Sequence, residues 1–118
     1  MTQGFIVEHR DAYTVVRIDS DPSLDEIVRS IETLGLLSHQ WPHSRVLFDL
    51  RSVRTLKTFT EHYTIGEAVA RHLKHLSRMA SVVPADRITR ASERTARLAG
   101  AALTVFTSEG EAIDWLTT

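Results

Sequence analysis

Two kinds of side chain in this sequence have the type and placement for chemistry: one carboxylate at the end of an apolar run, and a scatter of imidazoles. The run is Arg45-Val46-Leu47-Phe48-Asp49-Leu50-Arg51. Its centre is apolar, as in a parallel strand covered on both faces. Asp49 would stand at the strand's carboxyl end, where open α/β sheets hold their ligands. A carboxylate buried there acts either as a functional acid or as a structural acceptor for loop N–H groups, Arg51 or Arg54. A single acid without a positioned partner defines no reaction.

The six histidines are candidate metal ligands. His39 and His43 are four apart but flank Trp41-Pro42, which argues against one helical turn. His72 and His75 are three apart and would share a helix face. Neither pair has a third or fourth ligand nearby, and no His-Glu-x-x-His occurs, so no metal site is expected. Trp41, in a loop, is an edge aromatic or the gate of a pocket. With five glycines, no phosphate-binding glycine loop is found, and no Gly-x-Ser-x-Gly. Neither an enzyme nor a cofactor is expected.

Hydroxyls and arginines offer binding instead. Thr58, followed by Glu61, opens a helix expected over 58–76 with a capping box. A helix start presents free N–H donors to an anion or phosphate, and Lys57 adds charge. Its plainer reading is a helix cap. Arg87, Arg90, Arg94 and Arg97, spaced three, four and three, lie on one face of a third helix. They form an anion patch or, more simply, a solvated face. No aromatic residue lies among them to stack on bases, so nucleic acid is not an expected partner.

The elements that position these residues follow from periodicity. Residues 5–9 and 13–18 read as an antiparallel hairpin around Arg10-Asp11-Ala12. Ser23 and Glu26 form a capping box for a helix with Leu24, Ile27, Val28, Ile31 and Leu34 inward, and Gly35 fits a left-handed stop. The buried strand follows, then the helix over 58–76 with Ile65, Ala68, Val69, His72, Leu73 and Leu76 inward. A strand over 79–83 ends at Pro84. Asp86 caps the third helix, with Ile88, Ala91, Thr95 and Leu98 inward, and Gly100 ends it. A last strand spans 102–106. Ser108 with Glu111 caps a terminal helix that docks Ala112, Ile113, Trp115 and Leu116. Small residues in the late strands (Ala80, Ser81, Ala101, Ala102, Thr104) suggest thinner cover there. The order is β-β-α-β-α-β-α-β-α, which implies a right-handed βα winding with helices mainly on one side.

Composition bounds the class. At 118 residues, 42% hydrophobic and 25% charged, the chain fits one domain over 1–118. It has no cysteine, which excludes disulfides, thiolate metal sites and thiol catalysis and is compatible with the cytosol. A net charge of −1 gives no global attraction to nucleic acid or acidic membranes. No apolar run nears the ~20 residues of a membrane span, and the N-terminus does not look like a signal peptide. A cytoplasmic protein is expected.

The strand Val46-Leu47-Phe48-Asp49-Leu50 with Ser52-Val53 resembles the signature of STAS domains. The tail Val105-Phe106-Thr107-Ser108-Glu109-Gly110-Glu111-Ala112-Ile113-Asp114-Trp115-Leu116 resembles that of their SpoIIAA-like, uncharacterised bacterial branch. The resemblance covers nearly the whole chain. It implies an α/β fold: a βα superhelix whose five-stranded mixed sheet opens with the hairpin and carries four helices. Better-understood relatives, the anti-sigma-factor antagonists, place Asp-Ser-x-Gly at the helix after this strand and are phosphorylated on the Ser. Here the matching stretch is Lys57-Thr58-Phe59-Thr60, so the motif is broken while a hydroxyl remains at Thr58. The resemblance implies a regulatory protein-interaction module with its contact surface at Lys57, Thr58 and nearby loops. An incompletely covered sheet face would also favour a homodimer. The alternative is a carrier or sensor of a small apolar or lipid-like ligand, in a cavity lined by Phe59, Tyr63 and Phe106.

Overall fold

The computed structural model describes residues 5–18, 20–53, 59–84 and 91–118. The expected Asp86 cap and the inward Ile88 lie outside these residues. The hairpin forms from β1 (Ile6–His9) and β2 (Thr14–Arg17). The remaining strands are β3 (Arg45–Asp49), β4 (Arg78–Val82) and β5 (Leu103–Phe106). They make one sheet in the order β1-β2-β3-β4-β5, antiparallel at the hairpin and parallel thereafter. Strand order that tracks chain order is what successive crossovers of one hand produce.

The crossovers are α1 (Leu24–Leu37), α2 (Phe59–Leu73) and α3 (Ala91–Leu98), and α4 (Glu109–Leu116) closes the chain. A short 3-10 turn, Ser38–Gln40, extends α1. The first three helices share one sheet face. Val16, Val46, Phe48, Met79 and Leu103 pack there against Ile27, Ile31, Leu34, Val69, Leu73 and Ala96. The other face belongs to α4, with Val15, Leu47, Ala80 and Val82 under Ala112 and Leu116. Alternation along β3 sends Val46 and Phe48 one way and Leu47 and Asp49 the other. The strand is therefore buried on both sides, as its composition required.

Small residues in β4 do not mark thin cover. Ala80 is fully buried beneath α4, and its short side chain lets the helix approach. Nor does α4 stand on intrinsic helicity, because a helix this short is marginal alone. Its polarity is matched at both ends. Ser108 Oγ accepts from the Glu111 N–H at the start. At the end, Arg45 donates to the Leu116 carbonyl at 2.6 Å and Arg78 to the Trp115 carbonyl at 2.7 Å. These arginines face each other in the β3–β4 register. Arg78 also lies 5.3 Å from the centre of the Trp115 ring. Cations at the negative end of a helix dipole are favourable.

Two local expectations are corrected. Gly35 does not stop α1, which runs on to Leu37. It is the point where α1 meets α2: a Cβ there would come within 2.9 Å of both His72 Cβ and the His72 carbonyl oxygen. Gly100, with φ +98°, is the true left-handed stop. In α3, Leu98 points out and is 84% exposed, while Ala96 is fully buried. Two residues turn a helix by about 200°, so the two cannot face the same way. The inward position before Ala96 is Glu93, whose carboxylate accepts from the Val105 N–H at 2.7 Å. The N–H groups of Met79 in β4 and of Val83 just after it take the carbonyls of Ala102 and Phe106. Val105 therefore points its N–H to the open side of the edge strand, and Glu93 occupies it.

Two stability predictions follow. Gly35→Ala forces α1 and α2 apart and costs about 1–3 kcal/mol, whereas Gly110→Ala, with its nearest neighbour at 3.8 Å, is neutral or stabilising by about 0.5 kcal/mol. Urea midpoints distinguish them. Arg78→Ala costs about 1–3 kcal/mol, and hydrogen exchange locates the loss in α4.

Candidate functional site

Asp49 is the most constrained charged group at the carboxyl end of the sheet. It is 5% exposed. Its Oδ1 accepts from the Arg51 backbone N–H at 3.2 Å and from Arg51 Nε at 2.9 Å. Its Oδ2 accepts from Arg51 Nη2 at 2.8 Å and from Arg17 Nε at 3.2 Å. The Leu50 N–H still bonds to the Val82 carbonyl, and the chain then turns over 50–53, where the Val53 N–H bonds to the Leu50 carbonyl. That brings Arg51 back over the carboxylate. Hydrogen bonds from the Arg51 side chain, outweighing burial, hold the Asp49 pKa down at about 2. The same pairing raises Arg51.

The network continues outward on both sides. Arg17 reaches Glu8 at 3.3 Å, and Glu8 reaches Arg10 at 2.9 Å. Arg51 reaches Glu109, in the first turn of α4, at 3.5 Å. Three carboxylates and three guanidiniums thus alternate from the hairpin to α4. Only Asp49 is deeply buried; the side chains of Arg51 and Glu8 are 48% and 42% exposed. A buried carboxylate here fixes a rim of exposed charges. It is an acceptor locked in its ionised form, and a permanently ionised, fully engaged carboxylate is no proton donor.

Sequence reasoning placed Asp49 at this end and named Arg51 as a partner. Arg17, Glu8 and Glu109 were missed. Arg17 lies opposite Asp49 in the β2–β3 register, which only the strand pairing creates. Lys57 and Thr58 lie outside the described residues, as do Arg54, Arg87 and Arg90. Of the arginines on the third helix, Arg94 is exposed. Arg97 bonds to Thr104 at 2.9 Å and pairs with Glu93 at 3.5 Å. It is tied to the β5 edge, two strands from Asp49.

The histidines regroup. Because α2 ends at Leu73, His72 and His75 part company. His72 packs on Gly35, and His75 stacks on His39 with ring centres 3.9 Å apart. Trp41 meets His9 edge-on at 5.9 Å. Burial lowers the pKa of His62, and its Nε2 has no hydrogen-bond partner among the described residues. Among those residues no group of three or more His, Asp or Glu is placed to hold a metal ion. No described helix is long and apolar enough to cross a membrane.

The sheet order, the four helices and the Asp-Leu strand end are the frame in which a comparison becomes informative. A SpoIIAA-like family model matches residues 13–117. The chain belongs to the SpoIIAA-like family. No curated protein matches it. The matched span takes in β2 through α4, including Asp49, Arg51 and Glu109, while Glu8 and Arg10 precede it. The SpoIIAA-like fold thus carries the centre of the charge network, and the hairpin's first strand adds the outer pair.

The low Asp49 pKa makes a signed prediction. The ionised form is favoured by folding, so its contribution is complete above the unfolded carboxyl pKa. It is lost as pH falls from there through about 2. Asp49→Asn should destabilise by about 1–2 kcal/mol at neutral pH, discounted for half-exposed arginine partners. That difference should vanish near the acid end. Chemical denaturation at stepped pH measures it.

Proposed function

We propose that this SpoIIAA-like chain is a non-enzymatic regulatory module that acts in the cytoplasm by binding a protein partner. The binding surface is the rim at the carboxyl ends of β2 and β3, made by Arg17, Arg51 and Glu109, and Lys57 and Thr58, a few residues further along the chain, are proposed as contacts on the sequence reading alone. The observation that carries this reading is the state of Asp49. Its oxygens accept four hydrogen bonds from two arginines, so the group best placed for chemistry serves to orient its neighbours. Charged side chains held in register before a partner arrives lose less entropy on binding, and their alternation of sign selects a complementary surface.

The carrier reading has less support. Phe106 lies against Trp115 under α4, with ring centres 5.8 Å apart. Tyr63 is on α2, across the sheet, and is 41% exposed. Two residues on opposite faces of a sheet do not line one cavity. The side chain of Phe59 is outside the described set. Homodimerisation remains compatible with the rim reading, since a second copy offers the same alternating charges.

The test is capture of partners from a native lysate by the full chain, with native mass spectrometry of the eluate. Arg51→Glu and Thr58→Ala should each reduce retention of a bound protein about tenfold, and retention should fall with added salt. Unchanged retention by both variants would refute the rim assignment. Co-purifying lipid mass with no protein partner would favour the carrier.

A further inference from the structure

The two ends of the parallel strands are built from different chemistry. The carboxyl end carries the alternating rim. At the amino end, the 3-10 turn and the loop after it fold over the turn that follows α2. They leave an open cleft of about 320 Å³. It is lined by three imidazoles (His39, His43, His75), two hydroxyls (Ser38, Ser44) and the Trp41 indole, with Pro42 and Leu76 beside them. The volume lies at the lower end of the range for small-ligand sites.

Among the described residues, the lining contains no carboxylate. Each titratable group in it becomes positive on gaining a proton, and none becomes negative. His39 and His75 lie nearly parallel, at 16° and 3.9 Å. Two imidazolium ions at that separation repel unless an anion lies against them. Ser38 Oγ donates to the Gly35 carbonyl at 3.3 Å and lies within hydrogen-bond distance of His75 Nε2, at 2.8 Å. The other ring nitrogen of His75 has no bond to a described residue, and neither nitrogen of His39 has one. His43 donates Nε2–H to the Arg10 carbonyl at 2.6 Å.

Surrounding charges are directed elsewhere. The Arg10 guanidinium pairs with Glu8. Lys74 lies over Gly100, toward α3. His72 packs on Gly35, and His9 bonds to Thr14 at 2.9 Å. The titratable groups of the lining are thus its own imidazoles, and its apolar surface comes from Trp41 and Pro42, since Leu76 is buried.

We propose that this cleft binds a small oxyanion with a flat apolar body, of the aryl carboxylate class, and that the stacked His39–His75 pair takes up a proton to hold it. Burial, then repulsion from His39, keeps His75 below the usual histidine pKa in the free protein. A bound anion raises it, and by linkage affinity rises as pH falls. This site is separate from the rim, so its failure leaves the protein-binding reading untouched, and the reverse holds too.

The test is a titration of the full chain with sodium benzoate, and separately with inorganic phosphate, at about pH 5.5 and about pH 8. It is read by long-range imidazole proton–nitrogen spectra. His39→Gln and His75→Gln assign the signals; both positions are exposed, and circular dichroism checks their folding. Benzoate should shift both signals saturably and bind about tenfold tighter at the lower pH, a one-unit coupling. Either substitution should abolish that pH dependence, and phosphate should bind more weakly. Equal benzoate affinity at the two pH values, no shift at either histidine, or undiminished binding by the double variant would overturn the proposal. Phosphate binding as tightly as benzoate would overturn the aryl class.

Discussion

A parallel strand with no solvent-facing side must be covered twice, and in this protein the second cover is a single short helix. Without α4, Val15, Leu47, Ala80 and Val82 would face water, and β3 would lose one of the two apolar environments that hold it. An eight-residue helix cannot supply that cover through its own stability. It is docked by Ala112 and Leu116 and gripped by charge at its ends. Arg45 and Arg78 reach its last carbonyls, and Arg51 reaches Glu109 in its first turn. Strand arginines and helix dipole run in matched directions because α4 lies antiparallel to the strands it covers.

That arrangement links stability to the charged rim. Arg51 belongs both to the α4 contact and to the Asp49 centre. Asp49 in turn binds Arg17 on β2, and Arg17 binds Glu8 on β1. Charge therefore runs from the terminal helix across the strand ends to the hairpin, through one buried carboxylate. A surface organised this way presents fixed charges rather than reactive ones. The opposite pole has hydroxyls and imidazoles that pair with one another and with backbone carbonyls.

Element existence was legible because it is written in local patterns. Ser23 with Glu26 forms a complete capping box. The hairpin, the buried strand and the stop at Gly100 also lie where sequence places them. Gly35 misled because a glycine near a helix end has two readings, and only the approach of His72 chooses between them. Leu98 misled because apolar spacing in α3 competes with Glu93, whose carboxylate is needed at the β5 edge. The pairing of His39 with His75 could not be read at all, since it joins residues on two connections that meet only when α1 and α2 pack.

The sequence by itself determined the order of strands and helices, the caps at Ser23 and Ser108, the doubly buried character of β3 and the acid at its end, because these rest on contacts within a few residues. Tertiary structure alone decided which charges meet Asp49, which face α4 covers and which histidines stack. Those contacts span 32 residues for Arg17 and Asp49, 58 for Arg51 and Glu109, and 71 for Arg45 and Leu116. Strand register and helix packing bring them together, and no local periodicity encodes either.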